Sequence, residues 1–484
     1  MNITKYTKNN EYTILFLFLS LFLTLNVFTS PKSPTVWVDE VAYSDPSVNF
    51  VLNGDFTSTA WGTQGPNELW AGNVPLHQFF LIGWLEVFGV SPTSVRSMNY
   101  IFVIVGVILL WFLMRNKDLS SPIFRLATVV LLLCGQGITF SYRSGRPDMI
   151  GFLLVCAGAA ALLLKGRTRY GLLACTGALI PWAGLQFVPY TALLCGCIIF
   201  WNRKLFLRTS LSVAGGGIAG TGGLIWFYKL NSVWDDFLQS VAPHTAASSS
   251  VNTFDGLQIY MGDISYLTVL LVSILFLIYK IYKSNFTDIS PFFLYGLTAG
   301  ILTPIVLYAL GKYPQYYTWM AYLPLVTGAC IQASFISWSQ WKSWIGIGLL
   351  GFACVWLPAR VGVTILQWEA RSYEPIESLA KNTISEEDTV YASNQAYYGA
   401  KKNASVVYLP GSLSGRRSED EKIERAPIDK VIIDPRQSEK LLSELGGEWR
   451  QLGQIGEDAE RKEILGRKLA SPYRLATYVR LSEQ

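Results

Sequence analysis

Charge is what this sequence has least of. Only 15% of its 484 residues are Asp, Glu, Lys or Arg, against 51% hydrophobic ones, where a soluble chain would carry roughly a quarter charged. The apolar residues come in blocks of about 17 to 22 separated by short polar runs, the pattern of a multi-span helical membrane protein. Histidine is nearly missing as well: the two present, His77 and His244, exclude a multi-histidine metal site. The seven cysteines (Cys134, Cys156, Cys175, Cys195, Cys197, Cys330, Cys354) all fall inside apolar blocks. They form no Cys-x-x-Cys pair, so neither zinc nor a disulfide framework is indicated, and they read as small packing residues. No nucleotide fingerprint is present. The glycine-rich run from Ala214 to Gly223 has no Lys-Ser/Thr after it and reads as close helix packing. The run from Gly411 to Arg417 reads as a flexible basic loop. No apolar block holds an ionisable residue near its middle, which argues against a proton-coupled transporter or pump. The net charge of +5 comes with basic residues gathered in short loops on one side. That is a topology signal and not a nucleic-acid footprint.

The spacing predicts about eleven spans, near 12–30, 96–114, 123–141, 149–164, 171–185, 187–201, 207–228, 264–281, 290–311, 317–337 and 342–360. Alternating sides puts Arg115, Lys117, Arg125, Lys165, Arg167 and Arg169 in cytoplasmic loops, with Arg203, Lys204, Arg208, Lys280, Lys283 and Lys342. The opposite loops hold Lys32, Arg96, Arg143, Arg146 and Lys229. The first span follows a tail with Lys5 and Lys8, so the N-terminus is expected in the cytoplasm, and no small-x-small cleavage site follows that span. An odd count puts the C-terminal region outside.

That region changes character. From Glu369 on it is charged, with β-like runs at Thr389–Ala392, Ser405–Leu409, Lys430–Ile433 and Tyr478–Leu481, and helix-like stretches at Glu374–Asn382 and Ser438–Leu445. It reads as an α/β domain of roughly 115 residues, large enough for its own core. The expected fold is therefore mainly α: a polytopic membrane protein with a transmembrane domain over 1–361 and an extracytoplasmic α/β domain over 362–484. Its first outer loop, 31–95, contains the apolar stretch Pro75–Gly89, which is short for a crossing and rich in Trp and Phe, as an interfacial helix would be.

The charges that could carry chemistry collect at the outer ends of spans. Asp39, Glu40, Asp45 and Asp55 follow the first, and Arg143, Arg146 and Asp148 lie between the third and fourth. Lys229, Asp235 and Asp236 follow the seventh, and Lys312 with Tyr313, Tyr316 and Tyr317 follows the ninth. A cleft lined by carboxylates and cations at the outer bilayer boundary would suit a substrate with a phosphate head and a lipid tail. Arg and Lys would hold the phosphate and a carboxylate would activate an acceptor hydroxyl. The loop from Pro243 to Val251 is polar, as a flap or a plain connector would be.

The run Val36-Trp-Val-Asp39-Glu40-Val-Ala-Tyr43, with Asn53-Gly-Asp55-Phe56, Val74-Pro75-Leu76 and Leu85-x-x-Phe88-Gly89-Val-Ser91, resembles the opening of GT-C class membrane glycosyltransferases. Within that class it most resembles glycosyltransferase family 39, which includes the protein O-mannosyltransferases and the lipid A aminoarabinose transferases. The Ser141–Asp148 loop resembles the second acidic-basic loop of bacterial members, and Asp388–Tyr391 with Gln395-Ala-Tyr397-Tyr398 resembles a run in the tail of some. The resemblance implies a polyprenyl-phosphate sugar donor and transfer outside the cytoplasm, in the plasma (inner) membrane of a bacterium, to a protein, lipid or glycan acceptor. It implies Asp39 as the catalytic carboxylate with Glu40 supporting it, and Arg143, Arg146 and Lys312 as partners of the lipid phosphate. Asp148, Tyr313 and His77 complete the substrate-binding set. The sequence departs from the aminoarabinose transferases where they carry an acidic residue and a lysine before Pro-Pro-Leu; here the run is Gly72-Asn73-Val74-Pro75-Leu76-His77. No cofactor or metal is expected, since no Asp-x-Asp follows the first span; a divalent cation shared by Asp39, Glu40 and Asp148 is the other option. A transporter or flippase for a lipid-linked saccharide is the rival class.

Overall fold

The computed structural model describes residues 3–61, 64–65, 67–201, 203–246, 258–282, 288–310, 314–336, 340–410, 427–456, 463–464, 467–468 and 473–481. Along the chain the helices are α1 (Ile3–Thr29), α2 (Val38–Asn53), α3 (Pro75–Phe88), α4 (Pro92–Asn116), α5 (Pro122–Cys134), α6 (Gln136–Arg143) and α7 (Asp148–Ala161). Then come α8 (Gly166–Ala183), α9 (Phe187–Trp201), α10 (Arg203–Leu230), α11 (Trp234–Ala246), α12 (Ile264–Tyr282), α13 (Pro291–Ala309) and α14 (Thr318–Ala333). The last are α15 (Gln340–Ala353), α16 (Trp356–Leu366), α17 (Glu374–Thr383), α18 (Tyr397–Lys401) and α19 (Pro435–Leu445). The chain forms two compact units. One comprises Met1–Asn26, Ala71–His77 and Met98–Gly362; the other comprises Val27–Trp70, Gln78–Ser97 and Val363–Gln484.

In the first unit each apolar block of the sequence is a helix. Among the described residues, five helices are long and apolar enough to cross a bilayer alone, and two bent pairs raise the number to seven if each is one span. One bent pair is α5–α6, turned by 57°, and the other joins α15 to α16 at 50°. The bend between α5 and α6 falls at Gly135, whose extended backbone (φ −62°, ψ 148°) ends the first helix. Asp263 braces the far side, accepting from the Gly137 amide at 3.0 Å and the Thr318 hydroxyl at 2.6 Å. Small residues bring helices together where lipid tails give no hydrophobic drive. A Cβ on Gly220 would lie 2.0 Å from the carbonyl oxygen of Ala178, and one on Gly177 would lie 2.1 Å from that of Val213, so α8 and α10 pack backbone to backbone. Arg125, expected in a loop, instead lies buried in the first turn of α5, with its Nε and Nη2 each 2.7 Å from the carboxylate of Glu11. The Trp111 indole donates to the same carboxylate at 2.9 Å. A buried arginine needs such a partner, and position along the sequence alone does not reveal one.

The second unit contains the α/β domain. Its sheet runs β2-β1-β3-β7-β4, with β1 (Thr389–Ala392) parallel to β2 (Val406–Tyr408) and β3 (Lys430–Ile433). The last strand, β7 (Leu475–Arg480), pairs antiparallel with β3 and with β4 (Trp449–Ile455). A short hairpin, β5 (Glu463–Ile464) with β6 (Arg467–Lys468), stands apart from this sheet. Alternation assigns the faces. Tyr391, Tyr408, Val431, Ile433, Ala476 and Tyr478 form one buried face, covered by Leu441, Leu442 and Leu445 of α19. The opposite face packs on α17, where Leu379 would lie 3.1 Å from a Cβ placed on Gly453.

Candidate functional site

Two polar clusters, one in each unit, hold Asp39, Glu40, His77, Arg143, Arg146 and Asp148 of the residues singled out from the sequence. In the second unit Asp39 and Glu40 are not in a loop. They occupy the first turn of α2, whose N-terminal dipole favours carboxylates. Adjacent helical residues diverge by about 100°, and the two side chains accordingly meet different surroundings. Asp39 is half-buried, whereas Glu40 is fully buried. Arg96 grips Glu40 through Nη2 at 2.7 Å and Nε at 3.0 Å, and donates from Nη1 to the Ser30 carbonyl at 2.5 Å. The Tyr398 hydroxyl donates to the other Glu40 oxygen at 3.3 Å. Glu40 therefore anchors α2 and presents no oxygen to solvent.

Five residues on from Glu40, Asp45 repeats the device. Its Oδ2 accepts from the Ser58 hydroxyl at 2.7 Å and the Thr59 amide at 2.9 Å. Its Oδ1 accepts from the Tyr397 hydroxyl at 2.6 Å, with the Lys401 ammonium at 3.9 Å. Tyr473 adds a contact to the strand-like lead-in, accepting from the Val36 amide at 3.0 Å. The sides of α3 and α2 are locked by Gln78, which donates to the Tyr43 carbonyl at 2.6 Å and accepts from Ser47. The α/β domain thus holds the acidic helix through three tyrosines. Sequence reasoning passed over Gln78, Lys401 and Tyr473; it noted Tyr397 and Tyr398 only as part of a resemblance.

Burial pushes the Glu40 carboxyl up to about 7, with Arg96 and then Tyr398 pulling it back. An unfolded Glu releases its proton near 4.5, so between those values the folded state binds more protons and stability falls as pH rises. The thermal midpoint in detergent, compared with that of Glu40→Gln, should therefore decline from pH 5 to pH 8. A difference that stays flat across this range, or rises, would show that Glu40 is ionised throughout.

In the first unit, Arg143, Arg146 and Asp148 flank the turn from α6 to α7, made by Gly145 in the left-handed region (φ +67°). Arg143 is fully buried and donates from Nη1 to Asn26 Oδ1 at 2.5 Å. Arg146 donates from Nε to Asp148 Oδ2 at 2.8 Å and lies with its guanidinium carbon 3.4 Å from the centre of the Tyr316 ring. The Asn99 amide holds the Arg146 carbonyl at 2.7 Å. His77, at the start of α3, is fully buried beside this group, and neither ring nitrogen has a hydrogen-bond partner. Burial, and after it the charge of Arg146, pushes its imidazole down to about 3, so it is neutral at physiological pH. Lys312 and Tyr313 lie outside the described residues, as do Gly411–Arg417 and most of the loop after Pro243. Among the described residues no three His, Cys, Asp or Glu side chains are grouped to hold a metal ion.

The first unit also holds an apolar cavity of about 280 Å³, lined by residues such as Leu113, Val155, Leu173, Tyr190, Leu194 and Ile198. Its walls are mostly apolar and suit hydrocarbon.

No protein family's profile matches the chain, and no curated protein matches it. Among solved structures, ArnT from Cupriavidus metallidurans, in a crystal structure bound to undecaprenyl phosphate, has a similar fold, with a TM-score of 0.65. The likeness covers 98% of this chain and 99% of that one at 13% sequence identity. It is a likeness of fold, extending through the membrane helices and the α/β domain alike. The chain has the polytopic fold seen in that ArnT, a fold that the run around Asp39 and Glu40 implied.

Proposed function

We propose that this protein is a glycosyltransferase that takes a sugar from a polyprenyl phosphate and transfers it to a hydroxyl of a protein, lipid or glycan outside the cytoplasm. The observation that carries the reading is the fold shared over 98% of the chain with an ArnT bound to undecaprenyl phosphate. In the reaction, the acceptor oxygen attacks the anomeric carbon while the bond from that carbon to the phosphate oxygen breaks, with inversion. The acceptor's proton passes to a carboxylate, and the electron pair leaves with the polyprenyl phosphate. Asp39, half-buried on a braced helix, is the residue assigned to take that proton. Glu40, committed to Arg96, serves as a positioning residue. Arg143, Arg146 and Lys312 would offset the charge of the departing phosphate, and Asp148, Tyr313 and His77 would contact the donor. No metal is assigned a role. The N-terminus would lie in the cytoplasm and the α/β domain outside, in a bacterial plasma membrane; the distribution of basic residues among the loops supports this orientation.

Mass spectrometry of extracytoplasmic glycans and glycolipids, with and without the protein, tests the reading. A sugar present only with the protein, and dependent on polyprenyl-phosphate sugar in a reconstituted assay, is the expected result. Identical profiles and no donor requirement would overturn it.

A further inference from the structure

The apolar cavity of about 280 Å³ in the first unit lies toward the end of the helices away from Asp148: its walls run from Leu154 to Leu162 on α7 and from Leu110 past the end of α4 to Leu119. A layer of packed rings stands between it and the turn that holds Arg146 and Asp148. The ring centre of the fully buried Trp319 is 5.7 Å from that of Phe152, 5.9 Å from that of Tyr190 and 6.1 Å from that of Phe187. A Cβ on Gly106 would lie 2.5 Å from the Phe152 ring, and one on Gly151 would lie 2.4 Å from the Phe187 ring. The cavity opens at its other end, where two of its lining residues, Trp201 and Phe292, are exposed. Along α9 its walls rise from Tyr190 to Trp201, about 16 Å. That is the hydrocarbon depth of a single leaflet, half of a core about 30 Å thick. The chain around the mouth is basic. Residues 162–170 hold Lys165, Arg167 and Arg169, residues 201–209 hold Arg203, Lys204 and Arg208, and neither segment has an Asp or Glu. Lys165, Arg167 and Arg208 are exposed. α8 and α10 run side by side in the same direction, and a Cβ on Gly217 would lie 3.8 Å from the Gly177 carbonyl oxygen. The same offset sets Arg208 level with Thr168, between Arg167 and Arg169. Arg208 directly precedes Thr209 and Ser210, which line the cavity.

We propose that this cavity holds one acyl chain of an anionic glycerophospholipid, taken from the leaflet at the basic ends of the helices, with Arg167 and Arg208 meeting the lipid's phosphate. The site is separate from the outer polar group and does not depend on the sugar-transfer reading. Water is a poor occupant, because apolar walls give it too few hydrogen-bond partners. Left empty, the walls forgo dispersion contacts on that side. A hydrocarbon chain restores those contacts, and the bilayer presents such chains at the mouth. The sign of the headgroup follows from the cations around it. A basic pocket between spans attracts anionic lipid, whereas a zwitterionic headgroup brings an ammonium that the same cations oppose. Trp201 at the mouth suits the headgroup level, as interfacial tryptophans do. The tail of a lipid phosphate bound near Arg146 is kept out by the rings around Trp319.

The test titrates the full chain in detergent with phosphatidylglycerol or phosphatidylcholine of the same acyl chains and counts bound lipid by native mass spectrometry. The wild type should bind one phosphatidylglycerol about tenfold more tightly than phosphatidylcholine, a preference that two basic residues beside a headgroup can supply. Arg167→Gln combined with Arg208→Gln should remove that preference and leave phosphatidylcholine binding unchanged. Ala159→Phe, which puts a ring into the cavity, should weaken both lipids about tenfold and keep their ratio. A thermal midpoint for each variant shows that it is folded. If Ala159→Phe does not fold, quenching of tryptophan fluorescence by phosphatidylglycerol brominated in its acyl chains reports the same position, and Trp201→Phe should remove part of it. Equal affinity of the wild type for the two lipids, or a preference that survives loss of both arginines, would overturn the proposal. So would unchanged binding to a folded Ala159→Phe, or quenching indifferent to Trp201→Phe. One-for-one displacement of phosphatidylglycerol by undecaprenyl phosphate would assign the cavity to a polyprenyl tail and overturn it as well.

Discussion

Replacing Asp39 by Asn is expected to lower the turnover number for sugar transfer by a factor of about 10²–10⁴, the range that a positioned general base contributes. The KM for the lipid-linked donor should change little, because the carboxylate acts on the acceptor's proton and not on the phosphate. The amide keeps the size of the side chain and one acceptor oxygen, so α2 should fold as before and the thermal midpoint should hold. The adjacent carboxylate offers no rescue. Glu40 is fully buried and bound to Arg96 and Tyr398, and its direction around the helix differs from that of Asp39. Asp39→Glu should recover part of the rate, since it returns a base displaced by about one methylene. Steady-state kinetics with a reconstituted donor and acceptor measures all three enzymes. A turnover number for Asp39→Asn within threefold of wild type would exclude Asp39 as the base and shift attention to the exposed carboxylate of Asp55.

The elements legible in the sequence are those whose signal is local. Apolar blocks announced the membrane helices, and alternating runs announced β1, β2, β3 and β7 to within a few residues. The strand β4 escaped notice because it lies at the sheet edge, where Arg450, Gln451 and Leu452 face outward and Gly453 marks a bulge. The helix α2 escaped for a different reason. It carries Pro46 in its middle and five buried polar residues, Glu40, Ser44, Asp45, Ser47 and Asn49, so neither propensity nor an apolar stripe marks it. It is stable because its polar groups find partners far away in sequence. Glu40 meets Arg96 across 56 residues and Tyr398 across 358. Such pairings leave no trace in local periodicity. Hence the acidic pair could be located from sequence, while the division of labour between its two members could not. His77 was visible as a polar residue in an apolar run, but its complete burial and unpaired nitrogens belong to three-dimensional packing.

Replacing Asp45 by Ala should destabilise the protein by about 3–5 kcal/mol, the cost of stripping a buried charge of its partner. The substitution leaves the Ser58 hydroxyl, the Thr59 amide and the Tyr397 hydroxyl without their acceptor, and the buried Lys401 ammonium without its nearest anion. Burial already pushes the Lys401 ammonium down and Asp45 holds it up, so loss of the carboxylate removes what keeps that lysine charged. The consequence reaches function through α2. Asp39 lies six residues upstream on the same helix, about 9 Å along its axis, and a helix released from the α/β domain no longer aims its first turn. Asp45→Ala should therefore lose both thermal midpoint and activity. Asp45→Asn keeps an acceptor for Ser58 and the Thr59 amide and should lose less of each. Tyr397→Phe removes one charge-assisted hydrogen bond and should cost about 1.5–3 kcal/mol. Thermal unfolding in detergent, set beside turnover numbers for the same three variants, ranks the effects. If Tyr397→Phe matched wild type in both measurements, the α/β domain would be packed against the acidic helix without steering it. If instead activity falls in step with the loss of midpoint, the domain is part of what positions the carboxylate proposed as the base.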